Sequence, residues 1–211
     1  YDYEEDNTVP SIERLKKKYS NVYSVLNKKK GAVNAFKEGV KKANNEIILL
    51  STIDEIFPII MIDDMYELIT EKDCDLVSGT RYKFGGKRYG GFFLGKNLSR
   101  FANLIFKLIT NFPLSDATTG LKMFKKSIYE KIEIESNPIG WAFAFELSVK
   151  FAILNVKFGE VPLVAVDRVY GGISTFKGNT IKWSKEYYRW FKWGIKNLNR
   201  SDQKKIITLD K

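Results

Sequence analysis

The chain has 211 residues, 44% of them hydrophobic, and no low-complexity stretch, which suits one folded domain rather than a disordered segment. It has no histidine and one cysteine, Cys74, which excludes Ser-His-Asp hydrolysis, histidine-ligated zinc and a disulfide framework. Lys and Arg outnumber Asp and Glu by 35 to 25, so the surface attracts phosphate-bearing partners, while proton transfer and metal binding fall to carboxylates.

The chain opens on what reads as a strand end, so an N-terminal piece is expected to be missing. Thr8 or Asp6 can cap a helix over 10–19 with Ile12 and Leu15 inward. Residues 22–26 read as a short strand, and 27–31 as a turn. Val33, Phe36, Val40 and Ala43 then keep a helical spacing. The run 47–50 predicts a buried strand of the parallel type, apolar on both faces. A helix over 59–70 and a strand over 75–79 follow, and 82–95 is a Gly-rich, basic loop. Leu98, Phe101, Leu104, Ile105 and Leu108 form one stripe of a helix over 97–110. A strand at 122–124, a helix over 143–155 and a strand region over 156–166 precede a basic, aromatic helix over 180–198. Strands alternating with helices predict an α/β fold, with a mostly parallel central sheet and helices on both faces. The apolar stretch 46–62 is broken by Asp54 and Glu55 and is too short to span a bilayer. No signal-peptide pattern opens the chain, and a lone thiol suits a reducing compartment, so a cytoplasmic location is expected.

Polar and acidic residues gather where apolar runs end, the place where an open α/β sheet presents its ligands. A nucleotide-diphosphate donor needs polar groups for base and ribose, a divalent cation for the diphosphate, and positive groups for the leaving charge. Asp2 and Glu4 can supply the first, Asp54 with Glu55 the second, and Lys30 with Arg81 the third. Asp54 has a blander reading as the cap of the following helix. Asp116 is the candidate catalytic carboxylate: a base if the acceptor is a sugar hydroxyl, an orienting or metal-binding group if the acceptor is an anionic lipid phosphate. It can also simply anchor the turn at Thr118-Thr119-Gly120.

Seven segments, in order, resemble family 2 glycosyltransferases of the GT-A fold, and more closely the dolichol-phosphate mannose synthase-like branch. The opening residues 1–8 are similar to the family's Asp-Asp-x-Ser-x-Asp-Gly-Thr, and Asn27-x-x-Lys30-Gly31-Ala32 to Asn-x-Gly-Lys-Gly-x-Ala. Thr52-Ile-Asp54 stands where the metal-binding Asp-x-Asp is expected, and Gly79-Thr-Arg81-Tyr82 resembles Gly-Ser-Arg-Tyr. Ser99-Arg100-x-x-Asn103 matches a Ser-Arg-x-x-Asn helix, and Asp116-Ala-Thr-Thr-Gly120-Leu-Lys-Met-Phe124 is similar to Asp-x-x-Ser-Gly-Phe-Lys-x-Phe. Glu160-Val-Pro162, Arg168 and Gly172-Ile-Ser174 to Lys177 resemble the elements that close such domains.

The resemblance implies an inverting glycosyltransferase with a catalytic domain over 1–178 and a basic aromatic tail over 179–211. It implies Mg²⁺ or Mn²⁺ on Asp54 and a nucleotide-diphosphate sugar against Asp2, Glu4, Lys30, Arg168, Ser174 and Lys177. The acceptor would face Arg81, Ser99, Arg100 and Asn103, the arginines pointing into the cleft. Guanidinium suits a phosphate because its planar fork donates two hydrogen bonds at once. The acceptor reads as a polyprenyl phosphate, or else a glycan; a non-catalytic nucleotide- or glycan-binding relative is the other reading, because Thr52 replaces a carboxylate. The last helix carries Trp183, Tyr187, Tyr188, Trp190, Phe191 and Trp193 among lysines and Arg189, which suits a peripheral membrane contact, a packed core or a homodimer interface. Aromatics interleaved with Lys and Arg also fit a nucleic-acid surface, which nothing else in the chain supports.

Overall fold

The computed structural model describes residues 1–52, 59–83, 85–90, 93–166, 180–198 and 206–209. The elements run α1 (Val9–Lys18), α2 (Ala32–Lys42), β1 (Ile47–Leu50), α3 (Ile60–Thr70), β2 (Leu76–Thr80), β3 (Lys87–Tyr89), α4 (Phe93–Thr110), β4 (Lys122–Lys125), α5 (Lys126–Tyr129), α6 (Ala142–Ile153), β5 (Phe158–Pro162), β6 (Val164–Val166) and α7 (Thr180–Asn197). The central sheet has the order β1-β4-β2-β5. β2 and β5 pair in parallel, while β4 runs antiparallel to both β1 and β2. Three of these four strands therefore point the same way, and β4 is reversed between them. β3 and β6 form a separate parallel pair.

Alternation along the strands divides the core between the two faces of the sheet. Leu76, Phe124 and Phe158 join one cluster with Val33, Phe36 and Val40 of α2, the inner face of α6, Phe106 and Trp190. Their neighbours Val77, Met123 and Val161 join the other, under Met61, Met65, Leu68 and Ile69 of α3. The spacings of three and four in α2 and α3 are what lay those apolar stripes onto the sheet. This is the expected α/β sandwich with helices on both faces.

Four expectations need correction. Residues 22–26 form no strand among the described residues; the Tyr1 amino group donates to the Val25 carbonyl and the Tyr1 carbonyl accepts from Asn27 N–H, without a ladder. β1 is half-buried rather than fully buried and is paired antiparallel, because β4 is its neighbour. Leu15 is exposed, and α1 buries no residue. The α4 stripe is the largest departure. Leu98, Phe101, Leu104 and Leu108 are all more than half exposed, while Asn103, Phe106 and Thr110 face inward. Both sets keep helical spacing, so periodicity alone does not choose which one is covered.

α7 packs across α4 and α6, with Trp190 buried and Phe191 against Phe106. Gly194 permits this approach. A Cβ there would lie 2.6 Å from Phe106 Cζ and 3.2 Å from Val149 Cγ1. Gly39, exposed on α2, has no such neighbour within 4 Å. Gly194→Ala is expected to lower stability by ~1–3 kcal/mol through overpacking. Gly39→Ala should raise it by up to ~1 kcal/mol through helix propensity. Thermal melting of both variants checks the pair; equal shifts would mean that α7 does not seat on Phe106.

Candidate active site

The site grows from one rung of the sheet. Ser78 of β2 is in register with Lys122 of β4 on one side and Glu160 of β5 on the other. All three are buried, so a polar layer crosses the sheet at the middle of β2 and β5. Lys122 Nζ donates to Ser78 Oγ at 3.0 Å, and Ser78 Oγ donates to the Asp116 carbonyl at 3.3 Å. Glu160 accepts from the Ser115 N–H and hydroxyl and from the Asp116 N–H, and pairs with Lys83 at 3.0 Å. These bonds place the 115–116 backbone over the sheet.

Asp116 is fully buried and grips Arg81 with both oxygens. Arg81 Nε lies 2.6 Å from Oδ2 and Nη2 2.9 Å from Oδ1, the bidentate geometry of a fork on a carboxylate. The Arg81 N–H adds a contact to Oδ2, and the Thr118 N–H and hydroxyl add two to Oδ1. Burial alone would raise the carboxyl's pKa, but the charge and hydrogen bonds of Arg81 outweigh it and hold Asp116 ionised below the usual range. Burial correspondingly works against the guanidinium, and Asp116 more than offsets it.

Thr118 Oγ1 is the hub. It lies 3.1 Å from Arg81 Nη2, 3.2 Å from Asn103 Nδ2 and 3.3 Å from Ser99 Oγ. Tyr82 Oη donates to Ser99 Oγ at 2.8 Å, and Asn103 Oδ1 accepts the Ala117 N–H at 2.9 Å. Burial raises the pKa of the Tyr82 phenol, so it stays a donor. Arg81, Asp116, Ser99 and Asn103 are thus brought together.

Arg81, Ser99, Asn103 and Thr118 line a cleft of about 930 Å³, with Asp116 buried behind Arg81. Arg81, Arg88, Ser99, Asn103, Thr118 and Thr119 supply its polar lining, and Thr52 stands on its rim. Its walls are apolar and come from α4 and α7, among them Phe101, Ile105, Tyr187 and Phe191, with Trp141 across from Gly120. Among the described residues, no carboxylate lines it.

The other expected residues fall differently. Arg100 is exposed and does not line the cleft, because it sits on the outer arc of α4; this corrects the expectation that it points inward. Asp2 braces the turn before α2: Oδ1 accepts from Asn27 Nδ2 at 2.7 Å and Oδ2 from the Gly31 N–H at 2.8 Å. Lys30 ends that turn in the left-handed region, with φ 55°, and its side chain is exposed, as is Glu4. Asp54, Arg168, Ser174 and Lys177 lie outside the described residues, and with Asp54 goes the metal site. Among the described residues no cluster of three or more acidic or cysteine side chains could hold a metal ion. Sequence reasoning missed Arg88, Tyr82, Lys122 and Trp141. Arg88 and Tyr82 were read only as parts of a loop or motif. For Lys122, its match to the Lys of the Asp-x-x-Ser-Gly-Phe-Lys-x-Phe motif is the available signal.

Two tests follow from the buried charges. Asp116→Asn should destabilise the fold by ~3–5 kcal/mol, since it leaves a buried guanidinium unpaired, and adding Arg81→Met should recover part of that. Denaturant unfolding of the two variants decides it; a double variant no better than the single one refutes the pairing. Lys122 loses its proton early: burial lowers its pKa from 10.5 to about 7, against the pull of Asp116 and Glu160. Between these values the unfolded chain binds a proton that the folded chain does not, so this residue makes stability rise with pH from about 7 to 10.5. The advantage of Lys122→Met over the native chain should be largest at pH 7 and below and fade toward pH 10.5. Unfolding free energies at several pH values measure this.

The comparisons with known proteins bear on the family and the fold. The family model described as "Glycosyl transferase family 2" matches residues 2–133. A polyprenol monophosphomannose synthase of Mycolicibacterium smegmatis is 25% identical over 124 residues, 58% of this chain and 46% of that protein. A solved structure of the mannosyltransferase PcManGT from Pyrobaculum calidifontis, in complex with GDP-Man and Mn²⁺, aligns with a TM-score of 0.58 at 15% identity. That alignment covers 90% of this chain and 52% of the other. The chain therefore spans about half the length of these relatives, and the structural likeness speaks to the GT-A fold alone. The family match runs over more than half of the sequence, from the Asp2 turn past the Asp116 hub to Glu133, and on that ground the chain belongs to glycosyl transferase family 2.

Proposed function

We propose that the chain is an inverting glycosyltransferase that moves a sugar, mannose as first choice, from a nucleoside-diphosphate donor to a polyprenyl phosphate. One observation carries the choice of acceptor: the cleft combines two arginines with apolar walls and, among the described residues, has no carboxylate in its lining. A sugar hydroxyl needs a base within hydrogen-bond reach, whereas a phosphate monoester arrives as an anion and needs none. Asp116, with both oxygens engaged by Arg81 and Thr118, takes the orienting role. It holds the guanidinium still while Ser99, Thr118 and Asn103 present polar atoms to the acceptor.

In the reaction a phosphate oxygen of the acceptor attacks the anomeric carbon from the face opposite the leaving group. The bond from that carbon to the donor's diphosphate oxygen breaks, and the electron pair leaves with the nucleoside diphosphate. Asp54 would hold Mg²⁺ or Mn²⁺, which supplies charge neutralisation on the departing diphosphate. That the related mannosyltransferase binds GDP-Man and Mn²⁺ supports the donor and the metal. The name of the mycobacterial relative supports the lipid acceptor. Arg168, Ser174 and Lys177 would close over the donor, and Asp2 would act through the Asn27–Gly31 turn.

No helix among the described residues is long and apolar enough to cross a membrane. Peripheral attachment fits the surface instead. Leu98, Phe101, Leu104 and Leu108 of α4, with Ile181 and Tyr188 of α7, are exposed beside Lys182, Lys185 and Lys192. An apolar face rimmed by cations suits an anionic lipid surface, and the lipid acceptor would reach the cleft between the same two helices. A cytoplasmic protein docked on the inner leaflet is the arrangement we favour over a homodimer through this face.

Radiolabelled GDP-mannose, Mn²⁺ and polyprenyl phosphate should give label in the organic phase. Sedimentation with anionic vesicles should weaken at least tenfold when Phe101 and Leu104 are replaced by Asp. No transfer from GDP-mannose or other nucleotide sugars would remove the enzymatic reading. Nucleotide binding without turnover would favour a non-catalytic relative, to which Thr52 in place of a carboxylate already lends weight.

A further inference from the structure

Trp141 lines the cleft together with Thr52, Arg81 and Thr118. Its indole rests over Gly120, where a Cβ would come within 3.2 Å of Cε3 and Cζ3. Behind it the Phe143 ring stacks at 5.2 Å with an interplanar angle of 31°. The residue is only half-buried, so part of the ring stays open to the cleft.

The backbone that delivers this ring is held unusually firmly for a connection. Glu146 of α6, fully buried, accepts the N–H groups of Glu135 and Ser136. Glu186 of α7, also buried, accepts the N–H and side-chain amide of Asn137 at 3.0 and 2.9 Å. Pro138 then packs on Gly31, where a Cβ would meet its carbonyl oxygen at 2.9 Å, and Gly140 turns the chain at φ 69° into α6. The loop therefore ties the indole to the Asp2-braced turn. A ring used only as core filler would not need to border the cavity, nor a glycine beneath it to keep its height.

We propose that the exposed part of the Trp141 indole is the platform on which the transferred sugar of the donor rests. This assignment builds on the glycosyltransferase reading above. A pyranose has a face of C–H groups whose burial on an aromatic ring removes apolar area from water, and aromatic contacts add to that. Trp141 would align the anomeric carbon with the acceptor phosphate, as a positioning and specificity residue that forms no covalent bond.

Calorimetry with Mn²⁺ and either GDP or GDP-mannose separates the sugar's contribution from the nucleotide's. Trp141→Leu should leave GDP affinity within about twofold, yet weaken GDP-mannose and its transfer by roughly tenfold, the scale of one aromatic contact. Trp141→Phe should keep most of the effect. Gly120→Ala, which shifts the ring by a few tenths of an ångström without removing it, should lower GDP-mannose affinity in the same direction by less. Melting temperatures confirm that each variant is folded. Equal losses for GDP and GDP-mannose, or no loss for either, overturn the platform while leaving the enzyme assignment intact. A native chain that binds neither nucleotide overturns both.

Discussion

The ion pair between Arg81 and Asp116 is the constraint around which the site is arranged. Both partners leave water almost entirely, and burial on that scale is tolerated only when geometry and further hydrogen bonds replace the lost hydration. Here they do: Asp116 accepts from Arg81 three times and from Thr118 twice. The consequence is chemical as well as structural. A carboxylate so engaged is a poor proton acceptor, and a guanidinium so engaged keeps a fixed direction. This ion pair therefore brings orientation and charge to the cleft rather than a free base.

The polar rung beneath explains how the pair can sit at a sheet end without unravelling it. Ser78, Lys122 and Glu160 occupy one register position on three adjacent strands, and apolar side chains cover the rungs on either side. Glu160 holds the 115–116 backbone from below, and Lys122 reaches Ser78, which in turn bonds the Asp116 carbonyl. A buried lysine with its pKa lowered by desolvation is costly to keep. Its place between Asp116 and Glu160 gives the layer a cation that can be charged or neutral near neutral pH.

Two helices far apart in sequence complete the cleft. α4 supplies Ser99 and Asn103 to its floor, and α7 supplies Tyr187 and Phe191 to its wall. The contact of Gly194 with Phe106 lets them approach closely, and Leu98 and Phe101 of α4, both exposed, line the cleft beside them. Core packing and cleft shape are thus set by the same side chains, so the tail helix belongs to the architecture of the site.

The sequence by itself determined the family, the α/β alternation and much of the polar set. The motif pieces around Asp2, Arg81, Ser99 and Asp116 are local, each short enough to be read from neighbouring residues, and α2 announced itself by the spacing of Val33, Phe36 and Val40. What only the tertiary structure decided was anything that depends on a partner distant in the chain. Residues 22–26 have β propensity but no ladder, and β1 is paired against the reversed β4 rather than along a parallel neighbour. α4 carries apolar residues around most of its surface, so only packing against α7 could reveal that Leu98, Phe101, Leu104 and Leu108 are left outside with Arg100. Trp141 carries no motif and Lys122 only a place in one; their meaning arises from Gly120 and Ser78, more than twenty and forty residues away. Hydrophobic pattern reports which faces prefer burial, whereas the closure of a cleft depends on which faces meet.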